Sequence, residues 1–211
     1  MESNQQVLDH ADIVCVAVRP NHAVDVLSQL RFRDTHTVVS FVSFLTTPEL
    51  ARAVEPARDS CRAIPLPSVV HHTCPIPVFP SIDRVMDLFS HIGQPLAVDS
   101  ETQLHALWTL TGLISPFYTL LGELSDWAVS QGAQPQTANQ FTADLFQSLA
   151  RTAQQSSPIQ FSDLAHHAAT PQGMNEQADR EITESGAHRA YTQACDRLLK
   201  RFPTQGSVER D

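Results

Sequence analysis

Residues 170–175, Thr-Pro-Gln-Gly-Met-Asn, have the order of a site for a small anion. Thr170 is a good helix N-cap and Pro171 suits the first helical position, so the spacing predicts a helix that begins here with several amide N–H groups unpaired. Such an end attracts a carboxylate, and Gly173 lacks the Cβ that would hold an anion away. The same residues also describe a plain capped helix, and local sequence alone leaves both readings open.

Other residues with ligand chemistry are less well spaced. His71, His72 and Cys74 lie in "HHTC" downstream of Cys61, and His166 adjoins His167. Adjacent histidines point apart on most backbones, and Pro75 and Pro77 predict a loop or an edge strand, so no metal is expected. Cys15, Cys61, Cys74 and Cys195 contain no CxxC pair, which argues against a disulfide framework.

Twenty-three acidic residues against 14 Lys plus Arg give a formal charge of -9. Nucleic acids and anionic membranes must be neutralised by basic side chains, so neither is an expected partner. The sequence shows no evident apolar run of the roughly 20 residues that span a bilayer, and "MESNQQVLDH" lacks signal-peptide character. A cytoplasmic location is the expectation.

The elements that must position these residues fall into two regions. "DIVCVAVRP" reads as a strand buried on both faces of a parallel sheet, followed by a helix behind a possible Asn21 cap. Further strands are predicted at residues 36–44, 61–66, 76–79 and 95–98, with capped helices at "TPELARAV" and "SIDRVMDLFSHIG", the latter closed by Gly93. From about Ser100 the strand signals stop. Leu104, Leu107, Trp108, Thr111, Ile114, Tyr118, Leu121, Leu124 and Ala128 form one helical stripe, which Pro116 should kink or split. More helices follow at "QTANQFTADLFQSLARTAQ", "PQGMNEQADREITESG" and "AHRAYTQACDRLLKRF". Stripes this wide suit a dimer interface, or helices packed on one another.

Taken in order, several phrases resemble the pyrroline-5-carboxylate reductase family, which reduces a cyclic imine to proline with a nicotinamide cofactor. "SNQQVLDHADIVCVAVRPNHAVDVL" is similar to the family segment whose strand ends in Ala-Val-Lys/Arg-Pro. "RAIPLP" falls at its Met-Pro-Asn strand end, "LFSHIGQPLAVDSE" at the last helix and strand before its helical domain, "SPFY" at its Gly-Ser-Gly-Pro-Ala-Tyr kink, and "TPQGMNEQ" at its Ser/Thr-Pro-Gly-Gly loop. The likeness is collinear from residue 2 to about 202.

The resemblance implies an α/β chain: a partial Rossmann-like, doubly wound domain over residues 1–99, an all-α dimerisation and substrate-binding domain over 100–202, and a disordered tail at 203–211. It implies hydride transfer from NADPH or NADH to the C=N of a small cyclic imino acid, as in proline biosynthesis, by a homodimer or larger homo-oligomer. Thr170, Pro171, Gln172, Gly173 and Met174 would bind the substrate carboxylate. Asn175 stands where the family has a hydroxyl that meets the imine nitrogen; an amide donates a hydrogen bond but is a poor proton source, so its role would be orientation. Asn4 would approach the adenosine end of the cofactor, and Ala17, Val18, Arg19 and Pro20 would line its path. Hydride transfer needs little more from side chains than placement and polarisation, consistent with the lack of a triad or paired carboxylates.

Departures from the family pattern bear on activity. The likeness begins after the family's first strand and GxGxxG-type turn, and no such fingerprint occurs among the seven glycines. Without that first strand, the "IVCVAV" strand is expected to leave one edge bare. Ser43 and Phe44 stand for Ala-Gly, Leu66 for the Asn of Met-Pro-Asn, Leu113 and Ser115 for kink glycines, and Gln172 for the first loop glycine. The alternatives to a reductase are a non-catalytic dimerising or regulatory remnant, or a small-carboxylate binding protein.

Overall fold

The computed structural model describes residues 3–203. The described residues form two compact units, one running to residue 111 and taking up the described residues from 197 on, the other of 112–196. The sheet unit continues to residue 111, because the first helix after the strands is tied to the sheet by buried side chains. The chain also returns to the first unit at its end. Of the tail predicted at 203–211, residues 204–211 lie outside the described residues.

The first unit opens with α1 (Asn4–Asp9), capped by Ser3 accepting from the Gln6 amide. β1 (Ile13–Val16) leads into α2 (Pro20–Ser28). Its N-cap is Arg19 rather than the predicted Asn21, since proline at the first helical position sets the start two residues earlier. β2 (Thr37–Ser40) is followed by α3 (Thr47–Ala53), started by a capping box between Thr46 and Glu49. β3 (Asp59–Ala63), β4 (Pro75–Phe79), α4 (Asp83–Ser90), β5 (Gln94–Ala97) and α5 (Glu101–Leu110) complete it.

The sheet runs β1-β2-β3-β4-β5. All neighbours are parallel except β3 and β4, which are antiparallel. Only a short segment with a 3-10 turn joins that pair, too little for the covering helix a parallel crossover uses. β4 is interior despite Pro75 and Pro77, correcting the loop or edge-strand reading. Its ladder with β3 is confined to Val78 and Phe79, so neither proline must donate on that side.

Successive residues of β2 point to opposite faces, and Val38 and Val39 enter different cores. One contains Leu8, Val14, Val16, Leu27, Phe32 and Leu50. The other contains Cys61, Ile76, Val78, Val85 and Phe89. β1 is not buried on both faces as predicted: Cys15 is exposed, because β1 is an edge strand paired only with β2. α1 is held to the sheet by polar groups of the segment before β2. His36 bonds the Leu8 carbonyl, and Arg33 donates to the carbonyls of Leu8, Asp9 and Ala11, closing a helix end that lacks its own partners.

The second unit is helical: α6 (Ile114–Ser130), α7 (Pro135–Gln155), α8 (Phe161–Ala168), α9 (Met174–Ser185) and α10 (Ala187–Leu199), whose last turn belongs to the first unit. The predicted break at Pro116 occurs earlier, at a 3-10 turn over Thr111–Leu113. Pro116 sits in the first turn of α6, where its missing N–H has no intrahelical acceptor to lose. α8 was not predicted; eight residues carry little periodicity.

The helical run Glu101–Ser130 is long and apolar enough, by length and composition, to cross a membrane. This corrects the sequence reading that no such stretch exists. α6 and α7 leave Tyr118, Trp127 and Phe141 each about two-thirds exposed, at 66%, 65% and 68%, and Leu145 and Leu149 also face outward.

Candidate functional site

In the first unit the candidate ligand residues gather at the bare edge of β1. Asn4, Ala17 and Val18 line one apolar cavity of about 110 Å³, together with Val7, Val14, Leu27 and Phe32. Arg19 and Pro20 follow at the turn from β1 into α2, both exposed, at the carboxyl end of a parallel strand. Ligands of open α/β sheets bind at such ends.

In the second unit, residues 170–175 fold differently from the predicted cap. α9 begins at Met174 with Gly173 as N-cap and no side-chain cap, so Thr170 and Pro171 precede the helix. Thr170 instead closes a turn, its carbonyl accepting from the Gly173 amide at 2.8 Å. Gln172 takes a left-handed conformation with φ 61°. A Cβ on Gly173 would lie 2.9 Å from the Thr170 carbonyl oxygen, so the glycine is required by the turn itself. The Gln172 amide donates to the Glu176 carboxylate at 2.7 Å, and Asn175 Nδ2 donates to the Ala168 carbonyl at 3.0 Å. Met174 is 88% exposed. The loop therefore already presents an amide to a carboxylate, one from its own chain.

A third cluster, not recognised in the sequence, lies in the first unit. Arg62 on β3 is fully buried and donates through Nη1 to Glu101 Oε1 and His105 Nε2, and through Nη2 to the Ser43 carbonyl at 2.8 Å. The same Glu101 oxygen accepts from the amide and hydroxyl of Thr47, at 2.7 and 2.8 Å. The connection from β2 to α3, strand β3 and the start of α5 thus share one buried ion pair. Among the described residues Arg62 Nε has no hydrogen-bond partner, and the guanidinium carbon stands 5.0 Å from the centre of the Trp108 ring.

The charges in this cluster respond to burial and to one another. Burial lowers the Arg62 pKa, opposed by its bond to Glu101. Burial raises that of Glu101, but the Thr47 bonds and Arg62 outweigh it and the carboxyl is held below its usual range. His105 is lowered by burial and then by Arg62, with Glu101 opposing. Since an arginine N–H can only donate, His105 Nε2 is the acceptor and the ring is neutral with its proton on Nδ1. The one available sequence signal was an arginine within the apolar run "CRAI".

A dinucleotide would find only part of its usual setting among these residues. The strand ends, Asn4 and the exposed Arg19 suit a nucleoside and a phosphate oxygen. The pyrophosphate does not fit: α2 starts with Pro20, which lacks an N–H, and these 211 residues contain no glycine-rich turn. Among the described residues no three His, Cys, Asp or Glu side chains gather as metal ligands.

The architecture is that of an open α/β sheet followed by a helical region. Residues 101–204 match the family described as pyrroline-5-carboxylate reductase dimerisation. Pyrroline-5-carboxylate reductase of Corynebacterium melassecola is 27% identical over 98% of this chain and 80% of its own length. That of Escherichia coli is 26% identical over 95% and 77%. The NADP-bound pyrroline carboxylate reductase structure from Plasmodium falciparum superposes with a TM-score of 0.84 at 16% identity, covering 95% of this chain and 79% of that one. The chain is thus similar to the pyrroline-5-carboxylate reductases along most of its length, and residues 101–204 match the model of their dimerisation region.

Proposed function

We propose that the chain is an oxidoreductase of the pyrroline-5-carboxylate reductase type, acting on the C=N of a small cyclic imino acid. The observation that carries this is the collinear relationship, which runs through both the sheet unit and the helical unit. A bound NADPH or NADH would supply the hydride. Asn4, Ala17, Val18, Arg19 and Pro20 would hold the cofactor's nucleoside side at the end of β1.

In the substrate loop, residues 170–174 would bind the imino acid's carboxylate in the place Glu176 now takes on the Gln172 amide. Asn175, fixed by its bond to the Ala168 carbonyl, would orient the imine nitrogen rather than protonate it. The exposed apolar face of α6 and α7 would pack on a second copy of the chain. Proline biosynthesis in the cytoplasm belongs to the same proposal.

A second reading is favoured by the start of α2, where Pro20 offers no N–H to a phosphate: a dimerising protein that performs no chemistry. Calorimetric titration with NADPH and NADH separates the two, applied to this chain and to one extended by any upstream coding sequence. Binding followed by reduction of pyrroline-5-carboxylate supports the reductase. A dimer that binds neither nucleotide in either form overturns it in favour of the second reading.

A further inference from the structure

From the geometry of the first unit we infer that Phe44, His105 and Trp108 form a slot for a planar ring, and that Phe202 of the same chain competes for it. The Phe202 ring stacks on His105 with centroids 4.5 Å apart and planes 22° apart. Phe44 and Trp108 flank it at 5.3 and 6.1 Å. Three aromatic groups from two elements thus enclose a fourth, with the Arg62 guanidinium on the Trp108 ring.

The slot has a defined place. Phe44 lies in the loop after β2, and Arg62, which holds that loop through the Ser43 carbonyl, is near the end of β3. Both are carboxyl ends of parallel strands, where open α/β sheets receive ligands. Stacking between rings is sequence-tolerant and needs only flat apolar faces, so a dihydronicotinamide ring fits where a phenyl ring does. This assignment rests on the reductase reading for the identity of the ring.

Phe202 is suited to leave. It stands beyond α10, and its backbone is held by one turn bond to the Leu199 carbonyl. The neighbouring Arg201 guanidinium lies 5.3 Å over Phe44, a second contact of the same kind. Phe202 is therefore a tethered competitor, and ligand affinity is reduced by the fraction of time the slot is closed. The slot walls themselves are anchored by the Arg62–Glu101 pair and do not depend on the tail.

The test uses the full chain with Trp127→Phe, so that emission reports Trp108. The variants are Phe202→Ala and Phe202→Leu, the second keeping apolar bulk without a flat ring should the first fail to fold. The probe is 1-benzyl-1,4-dihydronicotinamide, which carries the ring without pyrophosphate or adenosine. Removing the Phe202 ring should move Trp108 emission to the red and tighten probe binding about tenfold, as for a closed state about ten times more populated than the open one. Phe202→Tyr should restore the parental affinity. Unchanged probe affinity in both variants, or no probe binding in any form, overturns the slot. NADPH is titrated in parallel. Tighter probe binding without NADPH binding supports the slot while removing the dinucleotide reading; NADPH binding equally to all forms, with no probe effect, does the reverse.

Discussion

Nη1 of Arg62 lies 2.5 Å from Oε1 of Glu101, and neither side chain is more than 6% exposed. The two residues are 39 apart in sequence, one on a central strand and the other at the start of α5. Their contact, with Thr47 on the same oxygen, is what makes α5 part of the sheet unit. Removing one partner leaves the other charge buried and unpaired, which costs about 3–5 kcal/mol. Arg62→Leu and Glu101→Leu should each lower the urea midpoint by a corresponding amount, and the double variant by less than either single one. Additive losses in this double-mutant cycle would show that the two side chains act independently.

Stability should fall below neutral pH in two stages. His105 is neutral in the fold, with its pKa depressed from the ordinary 6.5 by burial and by Arg62. The unfolded chain therefore takes up the proton first, and the stability that His105 contributes is present above about pH 6.5 and lost as pH falls through the lower folded value. Glu101, also depressed, loses its contribution only below the ordinary 4.5. Urea unfolding between pH 7.5 and about 2 measures both stages. His105→Phe should flatten the upper stage and leave the lower one; an unchanged slope between pH 6.5 and 5 would remove His105 as its source.

Two glycines should respond in opposite directions to alanine. A Cβ on Gly93 would lie 2.5 Å from the Cys74 carbonyl oxygen, a backbone atom of the adjoining segment, so Gly93→Ala must shift the turn that ends α4 against β4. A loss of about 1–3 kcal/mol is expected, the cost of overpacking. Gly122 lies inside α6 with nothing within 4 Å of the added atom, and its replacement should gain about 0.8 kcal/mol from helix propensity. Paired thermal unfolding of the two variants checks the contrast.

The outward face of α6 and α7 should control assembly. Trp127 and Phe141 are large, apolar and about two-thirds exposed, within residues matching a dimerisation family. Hot spots at interfaces are enriched in such aromatic residues and each contributes about 2 kcal/mol or more. Trp127→Glu with Phe141→Glu should halve the mass seen by sedimentation equilibrium while leaving helical circular dichroism unchanged. An unaltered mass would place the interface elsewhere.

Much of this protein was legible in one dimension. Apolar runs located all five strands within a few residues, because a buried strand needs consecutive side chains that tolerate both faces of a sheet. The change from strands to helices near residue 100 was equally plain, whereas the edge position of β1 followed only from the family likeness. What periodicity does not contain is partnership. The start of α9 was placed three residues early, because Gln172 and Glu176 form a loop bond that no propensity anticipates.

By itself, then, the sequence determined the elements, their order and the family likeness, since these depend on local side-chain pattern read along the chain. Only the tertiary structure decided that β4 runs antiparallel to β3, that Arg62 meets Glu101, and that Phe202 returns to stack on His105. Each of these joins residues distant in sequence. Their stability comes from excluding water between groups that the chain's local pattern never sets side by side.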